Sequence, residues 1–417
     1  MSQPIDAVRA AFPSLAITDG GRPRVYFDNP AGTQVPQQVI DRYTSYFTRS
    51  NANSGGAFVT SRETVALAEA TRAKLAAFVN AADPDEIVIG QSMTALTFHM
   101  TRALEKLFRP GDEIIVTRMD HDGNVTPWLK LAERLNLEIR WLPFDPATSR
   151  YDLTALDRLV TPRTKLAAIN YASNITGTIN DVGAIVRRVK AVGGLTYIDA
   201  VQFAPHGIID VQALGCDFLV CSAYKFYGPH VGILWGRREL FERFTPPKLR
   251  VSPETLPSRY MLGTAPYEAI AGTLGALEYY EWLGETIATP DQRAASSNTM
   301  NAGKLWMQAQ EEALAKRLID GLQKLKGVKI HGLTGANEMA ERVSTVSLTI
   351  EGHDPEVLAT ALGDRNIFAW SGNNYALDLI GWLGLAESGG VLRLGPVHYN
   401  TVAEVDATVA ALAEIIA

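Results

Sequence analysis

The sequence has 417 residues, of which 47% are hydrophobic and 20% charged, a balance typical of globular proteins with a large buried core. This length exceeds that of an ordinary single domain, so we expect two domains. The formal net charge is −6 and no block of basic residues occurs, which argues against nucleic acid or an acidic membrane surface as the main partner.

The start of the chain and its cysteines indicate a cytoplasmic protein. The segment MSQPIDAVRAAF has neither the basic start nor the apolar stretch of a secretory signal, and no apolar run approaches the ~20 residues that span a bilayer. The two cysteines, Cys216 and Cys221, flank one predicted strand and suit free thiols in a reducing compartment. Seven scattered histidines without an HExxH or CxxC motif predict no metal site.

Between residues 86 and 236, short apolar runs alternate with stretches of helical periodicity. The strand-like runs are 86–91, 113–119, 138–144, 165–173, 195–200, 217–223 and 231–236. Helical spacing follows in 92–108, 127–136, 152–160 and 182–194. This alternation predicts an α/β domain with a mostly parallel sheet, and the nearly continuous apolarity of the runs predicts helices on both faces.

The pattern changes after about residue 245. A proline-rich loop over 246–259 precedes a long helical stretch, roughly 266–318. A strand-like run at 344–350, a helix after Asp354 and a last helix in 403–417 follow. We interpret this part as a smaller α+β domain over 266–417, joined by the N-terminal segment 1–24, beside a large α/β domain over 25–265.

Polar residues after the early strands are candidates for a ligand site, because ligands of open α/β sheets bind at the carboxyl ends of the strands. Ser92 and Thr94 open a helix after the first run, where hydroxyls and free N–H groups can hold a phosphate. The same residues also suit a simple N-cap. His121 follows the second run and is either a solvated loop residue or a flat ring that stacks on a flat cofactor.

Three further strand ends carry reactive or polar side chains. Asn174 follows the fourth run and suits a turn equally well, given the Thr-Gly nearby. Asp199 ends the fifth run and is either solvated or a buried carboxylate that needs a partner. Lys225 follows the sixth run and is either a surface residue of a turn or a buried amine, which loses its proton readily and attacks carbonyls.

One cofactor accounts for all of these residues together. Pyridoxal phosphate requires a carbonyl-reactive lysine, a carboxylate for its pyridine nitrogen, a stacking partner and a phosphate cradle. The rival nucleotide motifs GxGxxG and GxxxxGK[ST] are absent from the expected positions.

The sequence resembles the cysteine desulfurase and selenocysteine lyase group of class V aminotransferase-like enzymes, which are fold-type I pyridoxal phosphate proteins. The resemblance covers almost the whole chain. The matching motifs are YFDNPAGTQVPQQVI (26–40), MDHDGNVTPW (119–128), NYASNITGT (170–178), YIDAVQFAPHGIIDVQALGCDF (197–218), SAYKFYGPHVGILWG (222–236) and LRLGPVHYNT (392–401).

The resemblance implies a role for each matching position. Lys225 matches the Schiff-base lysine, Asp199 the carboxylate facing the pyridine nitrogen, and His121 the stacking ring. Residues expected around the rest of the cofactor are Asn174 and Gln202 beside the substrate and the phenolic oxygen, Ser92, Met93, Thr94 and Ser222 at the phosphate, and Thr264, which in family homodimers comes from the partner subunit. Arg393 matches the arginine that grips the substrate carboxylate, its alternative being a surface residue after a strand.

The loop that carries the catalytic cysteine of desulfurases departs from the pattern. Tyr375 stands at the cysteine position and Trp370 replaces an arginine. Tyr224 replaces the histidine that often precedes the lysine. Because a phenol cannot carry a persulfide, a thiolate relay is not expected, whereas the chemistry of the lysine is unaffected.

We therefore expect an amino acid to undergo β-elimination of a leaving group, most plausibly sulfur. Lys225 would act as general base, Arg393 would hold the carboxylate, and Tyr375, Trp370 and Asn373 would line the substrate pocket, with Tyr375 as a proton donor. Transamination or epimerisation on the same cofactor, and a scaffold that binds the cofactor without turnover, remain the alternatives. The substrate is expected to be a small molecule, and the family implies a homodimer.

Overall fold

A seven-stranded mixed sheet forms the centre of the larger part of the molecule in a computed structural model that describes residues 4–417. Its spatial order is Ile87–Gly90, Gly232–Gly236, Phe218–Ser222, Leu195–Asp199, Thr164–Asn170, Glu113–Thr117 and Glu138–Leu142. Only Gly232–Gly236 runs antiparallel to its neighbours. The predicted α/β fold with a mostly parallel sheet is confirmed.

Helices cover both faces of this large sheet, as the apolarity of its strands predicted. Most strand residues are buried, and the edge strand Glu138–Leu142 is the most exposed. The helices up to residue 243 are Pro4–Ala10, Gln37–Ser45, Val59–Val79, Met93–Ala103, Thr126–Leu135, Leu153–Leu159, Val182–Ala191, Val211–Leu214 and Arg238–Arg243.

The single helical stretch expected over roughly 266–318 is wrong, because it is three helices. These are Tyr267–Trp282, Pro290–Ala295 and Thr299–Leu322. A wide turn over Leu283–Ile287 ends the first, and Thr289 caps the second with Pro290 in its first position. Gly284 packs closely against the start of the third helix, where a Cβ would lie 1.9 Å from the carbonyl oxygen of Thr299, so only glycine fits this position.

A four-stranded antiparallel sheet forms the smaller layer. Its order is Val328–His331, Val346–Ile350, Val391–Leu394 and Trp370–Gly372. The helices Pro355–Gly363, Leu377–Trp382 and Val402–Ile415 complete this part. Val25–Tyr26 pairs in parallel with Ile367–Phe368, so the segment before the large sheet is joined by hydrogen bonds to the smaller part. The domain bounds predicted above stay a prediction.

Two features of residues 4–417 bear on partners. No helix in this range is both long and apolar enough to cross a membrane. The same residues contain no cluster of three or more His, Cys, Asp or Glu side chains that could hold a metal ion.

Candidate active site

A cleft with about 570 Å³ of empty space opens where the strands of the large sheet end. All residues predicted to surround the cofactor, except Thr264, line it. The lining consists of Ser92, Met93, Thr94, His121, Asn170, Ala172, Asn174, Asp199, Val201, Gln202, Ser222, Tyr224 and Lys225. Residues from five strand ends therefore converge on one site, as parallel strands in one sheet allow.

Lys225 projects from a short turn, Ala223–Lys225, directly after the strand Phe218–Ser222. Its amine donates a hydrogen bond to the carbonyl of Pro30 and lies 5.1 Å from the centre of the Tyr224 ring. Burial and the nearby charge of Arg393 lower the pKa of the amine to about 7. A large fraction of Lys225 is thus uncharged at neutral pH, which makes it available as a nucleophile and a base.

Asp199 is the last residue of its strand and is 5% exposed. Its carboxylate accepts a hydrogen bond from the backbone N–H of Val201 at 2.8 Å. Burial raises its pKa to about 6, against the effects of Val201 and of the charge on Lys225. A cation placed in the cleft would therefore be paired with a carboxylate that has little water to screen it.

His121 lines the cleft, and its neighbour Asp120 is buried beside it. Asp120 accepts hydrogen bonds from Thr117, from Asn124 at 2.6 Å and from the N–H of Asn170 at 3.2 Å. Burial and the charge of Asp199 raise the pKa of Asp120 well above its usual value. Burial and the charge of Lys225 lower the pKa of His121 to about 4, so its ring is neutral and can stack on a flat ligand.

The helix Met93–Ala103 points its N-terminus into the cleft. The Ser92 hydroxyl accepts a hydrogen bond from the N–H of Ala95 at 3.1 Å. Ser92 is therefore the N-cap of this helix, which was one of the two interpretations of the sequence. The first N–H groups of the helix have no partner within it and favour an anion. Gly232 packs against this start, because a Cβ there would lie 2.3 Å from the carbonyl carbon of Ser92.

Arg393 lies on the strand Val391–Leu394 of the small sheet and is 4% exposed. It donates to the carbonyl of Asn174 at 3.1 Å and forms an ion pair with Asp28 at 3.5 Å. Burial lowers its pKa only to about 10, so it keeps its charge. The Nε of Arg393 and the Oδ1 of Asn174 are buried without a partner, which leaves polar atoms for a ligand. Trp370, more than half exposed, lies opposite Arg393 in the neighbouring strand.

The loop after Trp370 brings Tyr375 against His121. The two rings stack with their centres 5.3 Å apart. The carbonyl of Tyr375 accepts a hydrogen bond from the N–H of Asp122 at 2.7 Å, and the side chain of Asn373, itself exposed, accepts one from the N–H of Tyr375 at 3.0 Å. Asn374 and Tyr375 have positive φ angles of 48° and 59°, a left-handed backbone that these contacts hold in place. Tyr375 thus reaches the site through His121 and is 70% exposed.

Thr264 lies apart from the other predicted residues. It lines a second cavity with Gln91 and His99. Within one chain it does not reach the cleft lining, which is compatible with the expectation that it serves a partner subunit.

Two residues near the reactive groups were not assigned a role from the sequence. Tyr224 lines the cleft and its ring stacks on His230, the centres 4.8 Å apart. Its position directly before Lys225 in the sequence could have identified it as a residue of the cleft. Asp28 was hidden within a matched motif, because only the folded chain places it beside Arg393.

Both cysteines are buried outside the cleft lining. Cys216 and Cys221 are each 1% exposed. Burial raises the pKa of Cys221 to about 12 and raises that of Cys216 as well, so both are neutral thiols at physiological pH.

Comparisons with known proteins identify relatives along almost the whole chain. The family model Aminotransferase class-V matches residues 25–408. The "Aminotransferase-like protein FGM3" of Gibberella zeae is 34% identical over 420 residues, covering 98% of this chain and 97% of that protein. A "Cysteine desulfurase" of Pectobacterium carotovorum is 31% identical over 430 residues, covering 100% and 98%.

Solved structures share the fold over the full length. The apo cysteine desulfurase from Thermococcus onnurineus NA1 has a TM-score of 0.87 at 26% identity and covers 100% of this chain and 98% of its own. The cysteine desulfurase CsdA (S-sulfonic acid) from Escherichia coli has a TM-score of 0.83 at 27% identity, covering 100% and 99%.

Proposed function

Because the chain belongs to the aminotransferase class-V family, whose enzymes depend on pyridoxal phosphate, we propose that it is a C–S lyase acting on an amino acid. The reaction is a β-elimination that works without a persulfide-carrying cysteine. The observation that supports this proposal most directly is the strongly lowered pKa of Lys225, which lies in a cleft whose lining contains no thiol.

The cleft residues fit pyridoxal phosphate. The free N–H groups at the start of the helix Met93–Ala103, with Ser222 nearby, would hold its phosphate. Asp199 would pair with its ring nitrogen and His121 would stack on its ring. When bound, this cofactor withdraws electrons from the Cα of an attached amino acid.

The chain itself supplies the positioning and the proton transfers. Arg393 binds the α-carboxylate, using the buried Nε that lacks a partner. The uncharged amine of Lys225 removes the proton from Cα. The bond from Cβ to sulfur then breaks, and the sulfur leaves with a proton. The unsaturated amine that remains takes up one water, so the products are a keto acid, ammonia and a thiol or sulfide.

The position of the two thiols supports elimination over sulfur transfer to the protein. A relay requires a thiolate that reaches the substrate sulfur. Cys216 and Cys221 are buried around a core strand. By the resemblance noted in the sequence, Tyr375 would stand in the loop where desulfurases carry their cysteine.

A product assay tests the proposal. The protein loaded with pyridoxal phosphate is given cysteine, cystine and other sulfur-substituted alanines, and pyruvate, alanine, ammonia and released sulfur are measured. Elimination yields pyruvate and ammonia in equal amounts, with no persulfide on the protein by mass spectrometry. Alanine with a protein persulfide would indicate a relay and contradict the proposal, whereas conversion of the cofactor to its amine form indicates transamination. Borohydride should fix the cofactor on Lys225, and Lys225→Ala is the control.

Tyr375 is the proposed proton donor to the leaving sulfur. Its ring stacks on His121 at the edge of the cleft, and this contact supports the assignment. Tyr375→Phe keeps the stacking and removes the hydroxyl, so the elimination rate should fall by roughly 10²-fold with substrates whose thiol is a poor leaving group. Tyr224→Phe removes a phenol of the cleft lining as a matched control. An unchanged rate for Tyr375→Phe would remove the donor role.

We also propose a cytoplasmic homodimer in which Thr264 of one subunit contacts the cofactor phosphate of the other. The placement of Thr264 outside the cleft of its own chain supports this. Light scattering should give twice the mass of the chain, 45.4 kDa for one copy, and Thr264→Ala should weaken cofactor binding in the dimer.

A further inference from the structure

A carboxylate of the chain itself already occupies one side of Arg393. Asp28 Oδ1 lies 3.5 Å from Nη2 of Arg393, whereas Nη1 donates to the carbonyl of Asn174. A carboxylate can grip a guanidinium in two ways, through Nη1 and Nη2 or through Nη2 and Nε. Both arrangements use Nη2. A substrate carboxylate therefore lies close to the Asp28 carboxylate whichever edge it binds, even though Nη2 has two N–H groups.

The backbone holds Asp28 in this position. Asp28 forms a parallel bridge with Gly395, two residues after Arg393. The N–H of Gly395 donates to the carbonyl of Phe27 at 2.7 Å, and the side chain of Asn29 donates to the carbonyl of Gly395 at 2.7 Å. These bonds fix the segment around Asp28 to the strand that carries Arg393, so the two side chains cannot separate by movement of the segment alone.

The same segment also contacts Lys225. Pro30, two residues after Asp28, accepts the hydrogen bond from the Lys225 amine. Asp28 thus faces two cations, Arg393 and Lys225, and burial raises its pKa while both cations oppose that effect. Both residues that act on the substrate rest against one short stretch of chain.

We propose that Asp28 is an internal competitor for Arg393, whose carboxylate repels a substrate carboxylate that binds through Nη2, and that this competition sets the affinity for substrate. The inference rests on the proposed function, in which Arg393 binds the α-carboxylate. Asp28 acts through Arg393 and is a positioning residue. Two carboxylates at one guanidinium nitrogen repel each other, and at this partly buried site the repulsion weakens binding roughly tenfold.

The test compares the wild-type protein with Asp28→Asn, both loaded with pyridoxal phosphate. L-alanine is the probe, because it has the carboxylate but no leaving group on Cβ, and L-alaninamide lacks the carboxylate. Dissociation constants come from the change in cofactor absorbance. Asp28→Asn should bind L-alanine roughly tenfold more tightly and L-alaninamide about equally. L-alanine binding that is unchanged or weaker would overturn the inference and make Asp28 a simple support for Arg393.

Two controls separate this inference from the proposed function. Asp19→Asn removes an exposed carboxylate with the same change in net charge and should leave L-alanine binding unchanged. Arg393→Gln should lose L-alanine binding. If Arg393→Gln binds L-alanine as the wild type does, the role of Arg393 in the proposed function fails. If only Asp28→Asn behaves unexpectedly, the proposed function stands and the competition is wrong.

The pH dependence gives a second readout that a merely structural role would not produce. The advantage of Asp28→Asn over the wild type in L-alanine binding should shrink toward one as pH falls, because protonation of Asp28 removes the competing charge from the wild type. Arg393, Lys225 and Tyr224 face this site in both proteins, so the ratio of the two constants isolates Asp28. If Asp28→Asn does not fold, Asp28→Ser serves in its place. A ratio that stays constant with pH counts against the competition.

Discussion

Two lysines, Lys225 and Lys304, have the same unusual acidity and different surroundings. Burial lowers the pKa of each to about 7. Lys304 is fully buried, donates to the carbonyl of Gly207 at 3.1 Å and lies 3.4 Å from the centre of the Phe78 ring. It is not part of the cleft lining, where Lys225 faces Asp199. A lowered pKa therefore reports burial, and the groups around the amine decide whether it can do chemistry.

The lowered pKa of Lys304 leads to a prediction about how the free energy of unfolding depends on pH, and not about catalysis. Its amine is neutral in the folded protein above about pH 7 and protonated in the unfolded chain up to about its ordinary value of 10.5. Since the unfolded state binds more protons in this range, the free energy of unfolding rises with pH, by roughly 1.4 kcal/mol per pH unit from this group. Lys304→Met should remove that contribution and leave product formation unchanged.

Urea unfolding of the cofactor-loaded protein at several pH values between 7.5 and 9.5 measures this difference. Lys316→Met, which removes an exposed lysine paired with Asp320, is the control and should keep the wild-type slope. Equal slopes for the wild type and Lys304→Met would show that Lys304 is not neutral in the folded state.

At the scale of elements, the start of the helix Met93–Ala103 has two duties. Ser92 caps the helix, and the first N–H groups are proposed to bind phosphate. Ser92→Ala should lower the free energy of unfolding by about 1 kcal/mol and weaken cofactor binding, because the helix start loses its cap and its fixed geometry. The matched control is Asp181→Ala, which removes the cap of the helix Val182–Ala191. It should cost similar stability with no loss of cofactor affinity, measured by absorbance titration.

The strands of the large sheet could be predicted from the sequence because each is buried on both faces and therefore reads as a short apolar run. The runs predicted at 195–200 and 231–236 correspond to Leu195–Asp199 and Gly232–Gly236. The break within 266–318 was missed although the sequence marks it, because Thr289 and Pro290 are a helix-start signal inside the stretch. The close approach of Gly284 to a helix that starts fifteen residues later could not be predicted. Periodicity describes one element and carries no information on how two elements pack.

At the scale of the whole molecule, the candidate site joins two layers, and only part of it could be predicted. Residues at the ends of parallel strands share an edge of the sheet, so Asp199 and Lys225 could be placed together by fold rules alone. The meeting of Asp28 with Arg393 joins segments 365 residues apart and depends on how the small sheet docks. The resemblance to the family identified Arg393 as a site residue, but it assigned no role to Asp28.

Arg118 attaches the helix Leu377–Trp382 to the large sheet. Arg118, just after the strand Glu113–Thr117, lies 4.8 Å from the Trp141 ring, 4.9 Å from the Trp382 ring and 3.4 Å from Asp378. These contacts hold the segment that carries Tyr375 against the cleft. Cation–π contacts and a partly exposed ion pair of this kind are together worth roughly 1–2 kcal/mol. Arg118→Ala should therefore speed hydrogen exchange of the amides in 377–383 by about tenfold and lower kcat/KM several-fold.

The control Arg243→Ala removes a cation–π contact with Phe244 elsewhere in the molecule and should change neither the exchange rate nor kcat/KM. If exchange in 377–383 stays at the wild-type rate, Arg118 does not anchor the segment, and the position of Tyr375 depends on its local contacts, which are the hydrogen bond from Asp122, the stacking on His121 and the bond from Asn174 to the neighbouring carbonyl of Asn374.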